Sequence, residues 1–255
     1  MSLTVVLPTY NERPNIVALL EAIRVASPEA RIMVIDDQSP DGTGEAAEAC
    51  AARMGNIVVH HRASKDGLGN AYRFGFARVF ADASDRGDDE WDSVVVTMDS
   101  DFSHDPTLVP ALVAAIRTGA DAVVGSRYVP GGGTVDWPLH RRLLSRFGNL
   151  YTSGILGVGV SDCTSGFRAY RLATLREIHP TTTSADGYAF LTELIVRLSR
   201  RGAKIVEYPI TFVDRKYGAS KMSGRIIAES MWLVTKWGIR HRWRQLLGSV
   251  TRRRG

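Results

Sequence analysis

The stretch "SVVVTMDSDFSHDP", residues 93–106, decides the fold. Val94, Val95, Val96 and Met98 form a short apolar run of the kind a buried strand carries. It stops at two carboxylates one residue apart, Asp99 and Asp101, followed by Ser103, His104 and Asp105. Carboxylates that close repel unless something cationic separates them. A strand of this kind, ending in like charges, points to an α/β sheet with a ligand at the carboxyl ends of its strands.

Outward from this run the pattern alternates. Strands are expected at 3–8, 31–37, 56–62 and 121–128. Helices are expected at 13–26, with Pro14 in the first turn, and at 45–54, 70–80 and 107–119. Residues 81–92, "ADASDRGDDEWD", read as a loop. Such alternation predicts an α/β domain with a largely parallel sheet between helices.

At 255 residues, 44% hydrophobic and 23% charged, the chain is long enough for one large domain with its own core. The two cysteines, Cys50 and Cys163, lie far apart and match no zinc spacing, which fits a reducing compartment. "MSLTVVLPTYNE" lacks the pattern of a signal peptide, and no apolar run approaches the ~18 residues of a membrane span. A cytoplasmic protein is expected. The net charge of +5 is uneven: residues 216–255 hold ten Lys or Arg against Glu229 alone, which leaves the body mildly acidic. A basic tail on an acidic body predicts an anionic surface or ligand at that end. Nucleic acid is not expected as a partner.

Polar residues gather at the strand ends: Pro8, Thr9, Tyr10, Asn11 and Glu12; Asp36 and Asp37; Asp99 and Asp101; Ser126, Arg127 and Tyr128. One such cluster is ordinary turn chemistry, but four on one rim make a site. "GLGNAY" has Tyr72 where a dinucleotide fingerprint needs its third glycine, and neither a Walker loop nor a nucleophile elbow occurs. What remains is a nucleotide whose phosphates are held through a metal on Asp99 and Asp101. Magnesium is bound in this way, by one or two carboxylates with phosphate oxygens and waters.

The motifs "VVLPTYNE", "DDQSPDGT", "KDGLGNAYRFGF", "MDSDFSH", "VGSRY", "SGFRAYR", "GYAF" and "FVDRKYGASKMSG" occur in this order. In them the chain resembles the polyprenol-phosphate (dolichol-phosphate) mannosyltransferases, inverting family-2 glycosyltransferases with a GT-A nucleotide-sugar fold, over roughly residues 3–224. The resemblance implies transfer of mannose from GDP-mannose to a polyprenyl monophosphate, with Mg2+ or Mn2+ as cofactor. A UDP-glucose-dependent glucosyltransferase and a non-catalytic nucleotide-sugar-binding module are the alternatives. The resemblance places Pro8, Tyr10 and Glu12 at the guanine and ribose, with Ile35 and Asp37 completing the base pocket. Asp99 and Asp101, with Ser100 between them, would hold metal and diphosphate, and Ser103 would add a third metal contact. Arg127, Arg215 and Lys221 would approach the phosphates. Asp99, Asp101 and Arg127 are the expected catalytic residues.

The acceptor side begins at "GGGTVDWPLHRRLLSRFGN", where three glycines make a flexible approach and Pro138 starts a helix. Arg141 and Ser145, four apart, share a helix face. The resemblance gives them, with Arg127, the lipid phosphate. Arg142 and Arg146 form a parallel pair facing solvent or lipid headgroups. A phosphate nucleophile is already anionic, so no general base is assigned; Asp37 and Asp162 are the acidic candidates, and His104 is read as structural. Residues 1–222 are expected to form the catalytic domain and 223–255 an amphipathic basic helix and tail. In that tail Trp232, Ile239, Trp243, Leu246 and Val250 make an apolar stripe beside Lys236, Arg240 and Arg244. This predicts a peripheral contact with the anionic cytoplasmic face of a membrane. Many relatives add membrane-spanning helices that are not seen here, which leaves room for a separate membrane-anchor protein.

Overall fold

A computed structural model of the chain describes residues 2–214 and 231–239. Nine strands are found among them: β1 (Leu3–Thr9), β2 (Arg31–Asp36), β3 (Ile57–His61), β4 (Val94–Thr97), β5 (Ala122–Ser126), β6 (Gly133–Val135), β7 (Arg168–Arg171), β8 (Ile205–Pro209) and β9 (Thr211–Val213). Seven form one sheet in the order β3-β2-β1-β4-β7-β5-β8, and β6 pairs with β9. All pairs in the large sheet are parallel except those of β7, which runs antiparallel between β4 and β5. The expected largely parallel sheet is therefore present, with one reversed strand.

The strands alternate sides within a core on both faces. Val5, Leu7, Ile32, Val34, Val94 and Val96 face α1 (Arg13–Ala26), α2 (Thr43–Met54) and, beyond α3 (Leu68–Arg86), α4 (Val109–Arg117). Val6, Met33, Ile35 and Val95 face α3 instead, whose Tyr72, Phe76 and Val79 pack there. After α5 (Leu139–Leu156), two further helices close this second face: α6 (Leu172–Glu177) and α7 (Gly187–Arg200), through Leu175, Phe190, Leu194 and Leu198. Burial on both faces explains why these strands read as continuous apolar runs.

Three boundaries differ from expectation. Helix α3 runs on to Arg86, through residues expected in a loop, because Val79 and Ala83 keep the buried helical spacing until Gly87 closes it at φ +67°. The helix after Asp105 begins as a 3₁₀ turn at Pro106–Leu108, capped by the Asp105 carboxylate, which accepts from Thr107 N–H at 2.9 Å. The glycines of 131–133 form a fixed turn where a flexible approach was expected: a Cβ on Gly132 would lie 2.5 Å from the Ser126 carbonyl oxygen.

Residues 231–239 form a helix, α8. Its Val234 is buried against Leu156 and Val196, and a Cβ on Gly238 would lie 2.8 Å from Ile155. This segment is docked on α5 up to Gly238. The expected domain boundary at 222 and the tail beyond 239 lie outside the described residues. Among the described residues no helix is long and apolar enough to cross a membrane.

Candidate active site

The part of the rim expected to take the nucleotide is built from the turns after β1 and β2. Asn11 turns the chain at φ +57°, and its N–H donates to Ser39 Oγ at 3.0 Å. Glu12 N–H donates to Thr43 Oγ1 at 2.9 Å, and the Glu12 carboxylate accepts from Asn15 at 3.0 Å. Buried Asp36 ties the same turns together, accepting from Thr9 Oγ1 at 2.9 Å and from Ser39 Oγ at 2.6 Å. Asp37 accepts from Arg62 Nη1 at 2.6 Å. Burial raises the Asp37 pKa, and Arg62 opposes the rise. Tyr10 lies beneath Lys65 Nζ, 4.0 Å from the ring centroid. Ile35, expected at the base pocket, has its side chain fully buried in the core cluster with Val6, Met33 and Phe76.

The carboxylate pair of the opening strand sits on a tight turn with Phe102 at φ +60°. Ser103 N–H donates to Asp101 Oδ1 at 3.1 Å, and Ser100 Oγ donates to the Pro8 carbonyl at 3.0 Å. The Ser100 hydroxyl is thus engaged with the backbone. His104 Nδ1 accepts the Asp99 N–H at 3.1 Å, its ring stacked on Phe167. Burial lowers the His104 pKa, so the ring is neutral. Among the described residues no three His, Cys, Asp or Glu side chains group as a metal site. Two carboxylates beside the buried Ser103 hydroxyl, which has no partner among the described residues, nevertheless fit an ion that draws its remaining ligands from phosphate and water.

Across the rim, Arg127 forms a two-pronged buried ion pair with Asp162, Nε to Oδ2 and Nη2 to Oδ1, both 2.7 Å. Burial alone would raise the Asp162 carboxyl, but the guanidinium outweighs it and holds the pKa below the usual carboxylate range. Burial likewise opposes the Arg127 charge, and Asp162 more than restores it. Asp162 is therefore a counter-ion and a poor candidate base. Its loop, "SDCTSGFR", is folded around fully buried Arg168, which donates to the carbonyls of Ser165, Cys163 and Leu191, each at 2.7 Å. Cys163 in that loop is free, and burial pushes its thiol up to about 12.

The β6–β9 pair brings the acceptor-side helix to the rim. Arg141 Nη1 donates to Asp214 at 2.6 Å and lies 4.1 Å from the Trp137 ring centroid. Ser145 Oγ accepts from Tyr128 OH at 2.6 Å. Asp99, His104, Arg127, Trp137, Arg141 and Ser145 line one cavity of about 160 Å³. Asp99, predicted on the nucleotide side, thus shares one space with Arg127, Arg141 and Ser145, predicted on the acceptor side. Arg215 and Lys221 lie outside the described residues.

The sequence reading missed Trp137, Lys65 and Asp186. Asp186 accepts the Gly69 N–H at 2.6 Å, so "GLG" clasps a carboxylate of the protein itself. Lys65 and Trp137 lay within stretches already quoted and Asp186 stands one residue before "GYAF", but their partners are brought near only by folding.

A family model, "Glycosyl transferase family 2", matches residues 4–178. An undecaprenyl-phosphate mannosyltransferase of Micrococcus luteus is 46% identical, over 96% of this chain and 98% of its own. A polyprenol monophosphomannose synthase of Mycolicibacterium smegmatis is 44% identical, over 96% of this chain and 90% of its own. Among solved structures, the mannosyltransferase PcManGT of Pyrobaculum calidifontis, in complex with GDP-Man and Mn2+, shares the fold at a TM-score of 0.54 and 18% identity, covering 98% of this chain and 75% of that one. With Asp99, Arg127, Arg141 and Ser145 on one cavity of a GT-A sheet, the chain belongs to glycosyl transferase family 2 and is a glycosyltransferase.

Proposed function

We propose that the chain transfers mannose from GDP-mannose to a polyprenyl monophosphate, with inversion at the anomeric carbon. The observation that carries this reading is the shared cavity, where Asp99 of the nucleotide side faces Arg127, Arg141 and Ser145 of the phosphate side. The acceptor phosphate oxygen forms the new bond to the anomeric carbon. The bond to the diphosphate breaks, and its electron pair leaves with GDP. A phosphate monoester is anionic near neutral pH, its second pKa being about 6, so no protein base has to remove a proton. Asp99 and Asp101, with Ser103, would hold Mg2+ or Mn2+, which neutralises the charge developing on the diphosphate. The chain itself supplies positioning and fixed charge. Tyr10, Glu12 and Asp37 would line the nucleoside end, with Lys65 as an additional cation for the diphosphate, and Arg215 and Lys221 keep the phosphate roles that the resemblance gives them.

The deciding assay offers the purified chain GDP-mannose and UDP-glucose together, with a polyprenyl phosphate. A mannosyl phospholipid should form and a glucosyl one should not. Glucosyl product alone, or no product from either donor, overturns the reading.

Helix α5 supports a peripheral membrane contact at the acceptor side. Only Asn149, Thr152 and Leu156 of its 18 residues are buried. Leu139, Phe147 and Leu150 are 67%, 65% and 68% exposed, with Leu143 and Leu144 beside them. Exposed Arg142 and Arg146 flank this stripe. A contiguous apolar face with arginines beside it marks an interfacial helix. The contact we propose is therefore α5, on the anionic cytoplasmic face, extended by α8 through exposed Trp232 and Ile239. The double variant Leu143→Ser/Phe147→Ser should co-sediment with anionic liposomes at least tenfold more weakly, since each buried side chain contributes ~1.5–3 kcal/mol. Its turnover of a short, water-soluble prenyl phosphate should be unchanged. Undiminished liposome binding would remove α5 as the contact.

A further inference from the structure

Two N–H donors on the wall of the cavity have no partner among the described residues. His104 Nδ1 accepts the Asp99 N–H at 3.1 Å, so in the neutral ring the proton lies on Nε2. That Nε2 is buried and makes no hydrogen bond, and the same holds for Trp137 Nε1. An indole N–H can only donate. Both rings pack edge-on against Phe212, with centroids 5.4 and 5.3 Å away. Both side chains line the cavity that also holds Asp99, Arg127, Arg141 and Ser145.

Native proteins leave few buried donors unsatisfied, because such a group has lost water and gained nothing in exchange. Two on one cavity wall point to an acceptor that the described residues do not supply. Among the described residues, the cations that line the cavity are already engaged: Arg127 is paired with Asp162 and Arg141 with Asp214. An anion entering here meets two guanidinium groups whose charge is largely offset, which gives neutral donors a share in its hydrogen bonding.

We propose that His104 Nε2–H and Trp137 Nε1–H donate to the phosphate oxygens of the acceptor and hold the attacking phosphate in place. The proposal rests on the acceptor reading above. Both donors are rigid rings locked on Phe212, so they fix direction as well as distance, which is what an in-line attack needs. His104 then has two roles through its two nitrogens. Nδ1 positions the Asp99 turn on the nucleotide side, and Nε2 receives the phosphate on the other.

The test uses the full chain with Mg2+ and GDP present, titrated with geranyl phosphate in a calorimeter. Trp137→Phe keeps an aromatic ring against Arg141 and Phe212 and removes the N–H together with one ring of the indole. His104→Asn keeps an amide oxygen for the Asp99 N–H and deletes Nε2–H. Each should weaken geranyl phosphate binding about tenfold or more, as expected for a hydrogen bond to a charged group, and Trp137→Phe should leave GDP affinity unchanged. In 15N-labelled wild-type protein, one of the five indole N–H resonances should move downfield on addition of geranyl phosphate. Wild-type affinity in either variant removes that donor from the site. Five unmoved indole resonances, with geranyl phosphate bound, overturn the role of Trp137 without recourse to a variant. A wild-type chain that binds GDP but no geranyl phosphate overturns the acceptor reading, and this proposal falls with it.

Discussion

Replacing Asp101 with Ala should slow turnover about a hundredfold, a loss of ~3 kcal/mol in transition-state stabilisation. In the proposed reaction the carboxylate would stand where negative charge builds on the departing diphosphate, and a group acting there contributes more in the transition state than in the ground state. Asp101 is buried and accepts the Ser103 N–H at 3.1 Å, so its loss also loosens the turn. Asp99→Ala, at the half-exposed neighbour, separates the two effects: it should cost a similar factor in turnover with less effect on the unfolding midpoint. Chelation by EDTA should abolish activity in the wild type, and added Mg2+ or Mn2+ should restore it. Near-wild-type rates in EDTA, or in both variants, would end the metal assignment.

The largest effect on stability is expected at Asp162. Asp162→Ala leaves the Arg127 guanidinium buried without its counter-ion, and breaking one partner of such a pair costs ~3–5 kcal/mol. Urea unfolding followed by circular dichroism should show this as a lower midpoint with an unchanged slope. The pH dependence has a definite sign. Arg127 holds the folded-state pKa of Asp162 below its unfolded value despite burial. The pair's contribution is therefore complete above the unfolded pKa of about 4, and it is lost as pH falls through the lower folded value. Wild-type stability should drop on acidification below about pH 4, and the Asp162→Ala profile should be flatter there. Parallel profiles would mean that the pair does not control acid stability.

Much of the α/β framework was legible because local signals carried it. The runs at 3–8, 31–37 and 93–98 are apolar without alternation, and only strands buried on both faces read so. Helix α1 matched its expected bounds because Pro14, the buried spacing and the following Ser27 all agree. The carboxylate pair was legible for the same reason: two acids at the end of an apolar run need no distant partner to look anomalous. Helix α3 was cut short in the reading because "ADASDR" has the composition of a loop, and its helical period shows only once the sheet face that buries Val79 and Ala83 is known.

Residue types, order and spacing by themselves determined the class of sheet, and the resemblance of the ordered motifs gave the family. The tertiary structure alone decided who partners whom. Nothing local to Asp162 says that it neutralises Arg127, 35 residues away, and nothing in "GLG" says that it holds Asp186, 117 residues from Gly69. Nothing in "LHRRLLSRFGN" says that its leucines face outward while Asn149 faces in. Hydrophobic periodicity depends on neighbours within a few residues and can be read along the chain. Ion pairs, orphaned donors and the outward face of α5 depend on groups brought together across the whole domain. Those exist only after folding has removed water from between them.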